Sequence, residues 1–211
     1  STEVAIETET QSPVETDFVL PSTVQVGQIF KKAGLPFVSG VTNNPENVAN
    51  YNTKVEKLLA YGVYSTDLSY CILNDQNEDA MEYMKAVRGL ADDLGLTEIY
   101  EAEDLFERFE KSMGDQNAIL DIMIEVQERT DVHIDDNNLS QESAVLFAGA
   151  WIEGMYFGVK AADPNEKKEI SMRLIEQMTI LDNLIQGLES VDKKSKKLDD
   201  LKSRFQKMED T

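Results

Sequence analysis

Tyr64, Asp67, Tyr70, Trp151, Glu153 and Tyr156 are the residues whose types and spacing could do chemistry. They set two carboxylates and four aromatic rings inside apolar stretches that read as helix. A carboxylate in such a place is costly unless it is paired or hydrogen-bonded. Aromatic walls around carboxylates would suit a cationic or sugar-like ligand. Two carboxyls with pKa values raised by burial could instead work as acid and base. The plainer alternative is internal: Asp67 held by a tyrosine hydroxyl, or by a lysine or arginine from a neighbouring helix, as buried polar groups generally are.

Other chemistries find less support. His133 is the only histidine, which excludes multi-histidine metal centres and paired Glu-x-x-His di-iron sites. It reads as an exposed loop residue with no nucleophile elbow nearby. No glycine-rich phosphate cradle occurs. The stretch Asp131 to Glu142 places oxygen ligands at the first, fifth and twelfth positions of a calcium loop, but His133 and Asp136 stand where an oxygen ligand and the turn glycine belong. A solvated loop explains it better. The eight methionines read as core filler. No cofactor and no metal is expected, and no residue is assigned as catalytic.

The elements that must position these residues are helices. Five prolines and eleven glycines in 211 residues leave room for long ones. Apolar spacing predicts a short helix over residues 23–33 and long helices over 46–73 and 77–94. Shorter ones follow over 102–112 and 116–130. After a polar loop over 131–138, helices span 140–162 and about 164–188. No convincing strand appears. The expected fold is all-α, a helical bundle of about seven helices in antiparallel hairpins.

Two stretches repeat about 87 residues apart. Gly62, Tyr64, Leu68 and Tyr70, followed by Asp75-Gln76-Asn77-Glu78, are echoed by Gly149, Trp151, Met155 and Phe157, followed by Asp163-Pro164-Asn165-Glu166. This predicts an internal duplication relating about 46–94 to 139–188. Asp67 then aligns with Gly154 rather than with Glu153, so duplication supports the architecture more than a paired-carboxylate mechanism. Small residues line one face of each helix: Gly62, Ser65, Thr66 and Ser69 on one; Ala150, Gly154, Gly158 and Ala162 on the other. Small faces let helix axes approach closely, so these two helices are expected to pack together.

Forty acidic against twenty basic side chains give a net charge of −20, which repels nucleic acid and anionic lipid. Residues 1–21 lack any basic residue and read as an acidic tether or arm. Residues 22–190 form the helical domain. Residues 191–211 hold seven of the basic residues and carry heptad positions Val191, Lys194, Leu198, Leu201, Phe205 and Met208. This basic amphipathic helix is expected to clamp onto the domain; pairing with another chain, as an assembly module, is the alternative. Cys71 is the only cysteine, so no internal disulfide can form. No apolar run reaches bilayer-spanning length, and a start at Ser1 rather than Met fits either a mature product or a chain trimmed at its start.

The motifs Gly62-x-Tyr64-x-x-Asp67-Leu68-x-Tyr70, Ala91-Asp92-x-Leu94-Gly95 and Trp151-Ile152-Glu153-Gly154 resemble those of uncharacterised exported helical proteins of Bacteroidetes-type bacteria, over about residues 22–190. Many of these are predicted lipoproteins. The resemblance implies export to the periplasm or outer membrane of a Gram-negative cell. The arm would then be a spacer after a lipidated cysteine that is not in this chain, and the membrane would be reached only through that anchor. It transfers no catalytic residue. The expected function is therefore non-enzymatic: an exported cell-envelope protein binding a partner protein or small ligand through a helical seam or surface. An enzyme using Asp67 and Glu153 is the rival reading.

Overall fold

A computed structural model describes residues 36–100, 105–161, 168–178, 180–191 and 195–209, with positions 28, 31 and 34. The acidic arm and most of the helix expected over 23–33 lie outside the described residues. Among the described residues the fold is all helical. Its eight α-helices are α1 (Lys54–Leu73), α2 (Asn77–Leu94), α3 (Leu105–Lys111), α4 (Gln116–Asp136), α5 (Ser140–Ala161), α6 (Lys168–Met178), α7 (Leu181–Glu189) and α8 (Lys196–Glu209). None is long and apolar enough to cross a membrane.

Three boundaries differ from the sequence expectation, each for a local reason. The helix expected from residue 46 is a 3₁₀ turn (Pro45–Asn50), an extended break and then α1. Thr53 caps α1 by accepting from the Glu56 N–H, while the Glu56 carboxylate accepts from the Thr53 N–H at 2.8 Å. This reciprocal box satisfies amides that a helix start leaves bare. The polar run 131–138 is not a loop: α4 continues to Asp136 and ends where Asn138 turns left-handed (φ 54°). The Leu139 N–H there closes onto the Ile134 carbonyl at 2.9 Å. His133 is therefore helical and largely covered, and the calcium-loop geometry is gone. The helix expected over 164–188 is two helices, α6 and α7, broken between Met178 and Leu181.

The backbone of the architecture is the crossing of α1 on α5. A side chain on Gly62 would strike the Leu146 carbonyl oxygen and lie 2.7 Å from the Ala150 nitrogen. One on Gly149 would strike the Leu59 carbonyl oxygen and lie 2.9 Å from the Leu59 carbonyl carbon. Only glycine admits backbone this close. The Thr66 hydroxyl sits in the same seam, donating to Gly62 O at 3.0 Å and within 3.4 Å of Ala150 O. The close contact thus uses Gly149, one residue before the expected small face on α5.

Two apolar cores flank the seam. One joins α1 to α2, α3 and α4 through residues such as Tyr64, Leu68, Met84, Leu90, Phe109 and Ile119. Inside it the Tyr61 and Tyr100 hydroxyls meet at 2.6 Å. The other joins the start of α1 to α5, α7 and α8 through Val55, Leu58, Trp151, Leu184, Leu188 and Phe205. Helix α8 docks by apolar side chains, with Leu198 and Phe205 buried, and by an ion pair from Lys197 to Glu56. Those two heptad residues are spent within the chain.

Candidate functional site

Helix α1 brings Asp67, and α5 brings Glu153, to the same level of the seam. Because the glycines hold the two axes close, the carboxyls come within hydrogen-bonding reach of each other. Asp67 is 0 % exposed and Glu153 7 %. Asn43 covers them from the loop before the 3₁₀ turn. Its backbone N–H donates to Asp67 Oδ2 at 3.3 Å and its side-chain amide to the same oxygen at 3.2 Å. The amide also acts on Glu153. Among the described residues, Asp67 Oδ1 and Glu153 Oε1 find no N–H or O–H partner.

Burial is the main force on both acids. It raises the Asp67 pKa, the nearby Glu153 charge raises it further, and the Asn43 donors oppose the rise. Burial likewise raises Glu153, opposed by Asn43 and by the hydrogen bond with Asp67. Two carboxyls this close and this dry cannot both ionise cheaply. Both shifts run in the direction that favours keeping a proton on the pair, and a proton held there would supply a donor that the two carboxyls otherwise lack. The sequence expectation that Asp67 would be held by tyrosine, lysine or arginine is corrected: its partners are Asn43 and a second acid.

Tyrosines clamp the covering loop to the same place. Tyr64 donates to the Asn44 carbonyl at 2.9 Å and Tyr83 to the Asn43 carbonyl at 2.7 Å. The Tyr70 hydroxyl accepts from the Val38 N–H at 2.7 Å. Its ring is stacked between Phe37, at 5.6 Å, and Phe157, at 4.3 Å. Burial raises the pKa of all three hydroxyls, and pushes the Cys71 thiol up to about 12, so these groups stay neutral.

Of the six expected site residues, Tyr64, Asp67, Tyr70 and Glu153 gather here. Trp151 does not. It sits in the other core, its ring edge-on to Phe205 at 5.5 Å. Residues two apart on a helix point about 200° apart, so Trp151 and Glu153 cannot share a face. Tyr156 lies outside the site, 41 % exposed, with the Lys160 ammonium 5.4 Å from its ring centre. Asn43, which completes the site, gave no periodic signal because it stands in a loop.

A second feature is an open groove of about 430 Å³ lined by Glu98, Arg129, Val132, His133 and Asp136 among others. Among the described residues no group of three or more His, Cys, Asp or Glu side chains is placed to hold a metal ion. Comparison with protein-family models, with curated proteins and with solved structures finds no match.

Proposed function

We propose that this chain is a non-enzymatic, exported cell-envelope protein that binds a partner or small ligand through the α1–α5 seam, and that the group it takes there is cationic. The observation that carries this reading is the pair Asp67 and Glu153: two buried carboxyls, each with an oxygen lacking an N–H or O–H donor among the described residues. A cationic group could take the place of the shared proton, with Tyr64, Tyr70 and Phe157 beside it as aromatic walls. An acid–base enzyme would draw on the same pair, and a substrate, like a ligand, would reach it only by displacing Asn43. The two hairpins also read as a duplication. Leu59 and Gly62 recur 87 residues on as Leu146 and Gly149, and the close contacts are reciprocal, Gly62 on Leu146 and Gly149 on Leu59.

The test is calorimetric titration with methylammonium, tetramethylammonium and guanidinium, on the unaltered chain and on Asp67→Asn/Glu153→Gln. Saturable binding that the double substitution abolishes supports the seam. Binding that persists in the double variant belongs to the acidic surface and overturns it. Export is tested by fractionating source cells with an antibody to the chain; recovery in the cytosol would contradict it.

A further inference from the structure

Residues 36–44 lie over the seam, and further along the same segment Val48 and the following Tyr51 pack partly buried against the core. No residue of its 3₁₀ turn is buried, and Phe37 is substantially exposed. Beside the stacking of Phe37 on Tyr70, what holds residues 36–44 is polar: Val38 on Tyr70, Asn43 on Asp67 and Tyr83, and Asn44 on Tyr64. Segments held by few buried contacts open locally at a lower free energy than the core. Beneath this one lie the two acids. We propose that residues 36–44 are a proton-operated latch: closed while Asp67 and Glu153 share a proton, and released when that proton leaves.

The physical reasoning is linkage. Opening the loop admits water to both carboxyls and returns them towards ordinary acidity. The closed state therefore binds more protons than the open one, and each pH unit above the ordinary carboxylate range favours opening about tenfold per proton. Lost protons would leave two anions facing each other in a dry seam. The Asn43 donors favour the ionised form, but one amide and one N–H stand against the burial of two charges. Among the described residues, the other titratable groups interacting with Asp67 are Tyr64 and Cys71 from α1 and Tyr83 from α2, with Tyr51, just after the 3₁₀ turn, Tyr70 from α1 and Asp79 from α2 around them. None of these brings a positive charge that would hold the ionised pair together.

The latch would regulate the same seam proposed as the ligand site, so its test is run without ligand. Amide hydrogen exchange is measured between pH 5 and 8 and converted to protection factors, which removes the intrinsic pH dependence of exchange. Protection at Val38 and Asn43 should fall about tenfold per pH unit across part of this range, while amides in the middle of α1, such as Leu68, stay more protected. In Asp67→Asn/Glu153→Gln the profile at Val38 and Asn43 should be flat. If protection there is independent of pH in the unaltered chain, or falls equally in the double variant, the latch is overturned. A pH-dependent loop without cation binding would sink the ligand reading and leave the latch standing.

Discussion

Replacing Gly62 by alanine tests the reason given for the α1–α5 crossing. On helix propensity alone the change should stabilise the chain, since alanine is favoured over glycine by roughly 1 kcal/mol inside a helix. The structure predicts the opposite sign. The added carbon would strike the Leu146 carbonyl oxygen and sit 2.7 Å from the Ala150 nitrogen, where ordinary contact begins near 3.4 Å. Both neighbours are backbone, so neither can swing aside and the helices must part by more than half an ångström. Gaps of that size forfeit about a quarter to a half of the dispersion attraction across a contact. Overpacking of this kind costs about 1–3 kcal/mol, and rigid backbone neighbours place this site at the upper end. Net of the propensity gain, Gly62→Ala should cost about 2 kcal/mol, which for a chain of this size lowers Tm by roughly 4–8 °C. Gly89→Ala is the control: Gly89 lies within α2 with nothing within 4 Å of the added carbon, so the change should stabilise by up to about 1 kcal/mol. Gly149→Ala should resemble Gly62→Ala. The double variant should cost less than the sum, because one methyl already parts the helices that the second would part. Urea unfolding of all four variants measures this. If Gly62→Ala is as stabilising as Gly89→Ala, the close crossing is wrong.

Because the Asp67 pKa is raised on folding, the folded chain binds more protons than the unfolded one above the ordinary aspartate value, and stability falls as pH rises through that window. Asp67→Asn should therefore gain on the unaltered chain by about 1.4 kcal/mol per pH unit between roughly pH 5 and 7; a difference that is flat with pH in urea unfolding would contradict this. Phe205→Ala should cost about 3–5 kcal/mol and shift the Trp151 fluorescence to the red, since it removes the ring packed edge-on against the indole; unchanged emission would mean that α8 does not dock there. Tyr61→Phe should cost about 1–3 kcal/mol in thermal unfolding by stranding the buried Tyr100 hydroxyl. A neutral result would show that water reaches that pair.

What the sequence made legible follows from what each residue must satisfy. Gly62 in an apolar helix argued for close packing, and Asp67 and Glu153 stood out because a carboxylate among apolar neighbours needs a partner. The capping box of Thr53 and Glu56 was equally readable, and it marks the true start of α1, but the apolar spacing from Val48 onward masks it. Trp151 could have been set aside from helical geometry alone, because Glu153 faces the other way. Asn43 was not legible. Its role depends on where a loop folds back, and no local pattern encodes that. The break between α6 and α7 has neither proline nor glycine to announce it. The extension of α4 through residues 131–136 runs against composition, since its polar side chains read as solvated loop until Ile134 and Leu139 are seen to close the helix end.

The central claim is that Asp67 and Glu153 share a proton beneath Asn43, and the carboxyl carbons report it directly. Carbon NMR of the labelled side chains, followed from pH 3 to 9, should show that the pair keeps a proton at neutral pH and releases it only above the ordinary carboxylate range, with Asp67→Asn leaving Glu153 to titrate alone. Both carboxyls completing their titration near pH 4, like exposed acids, would contradict the account.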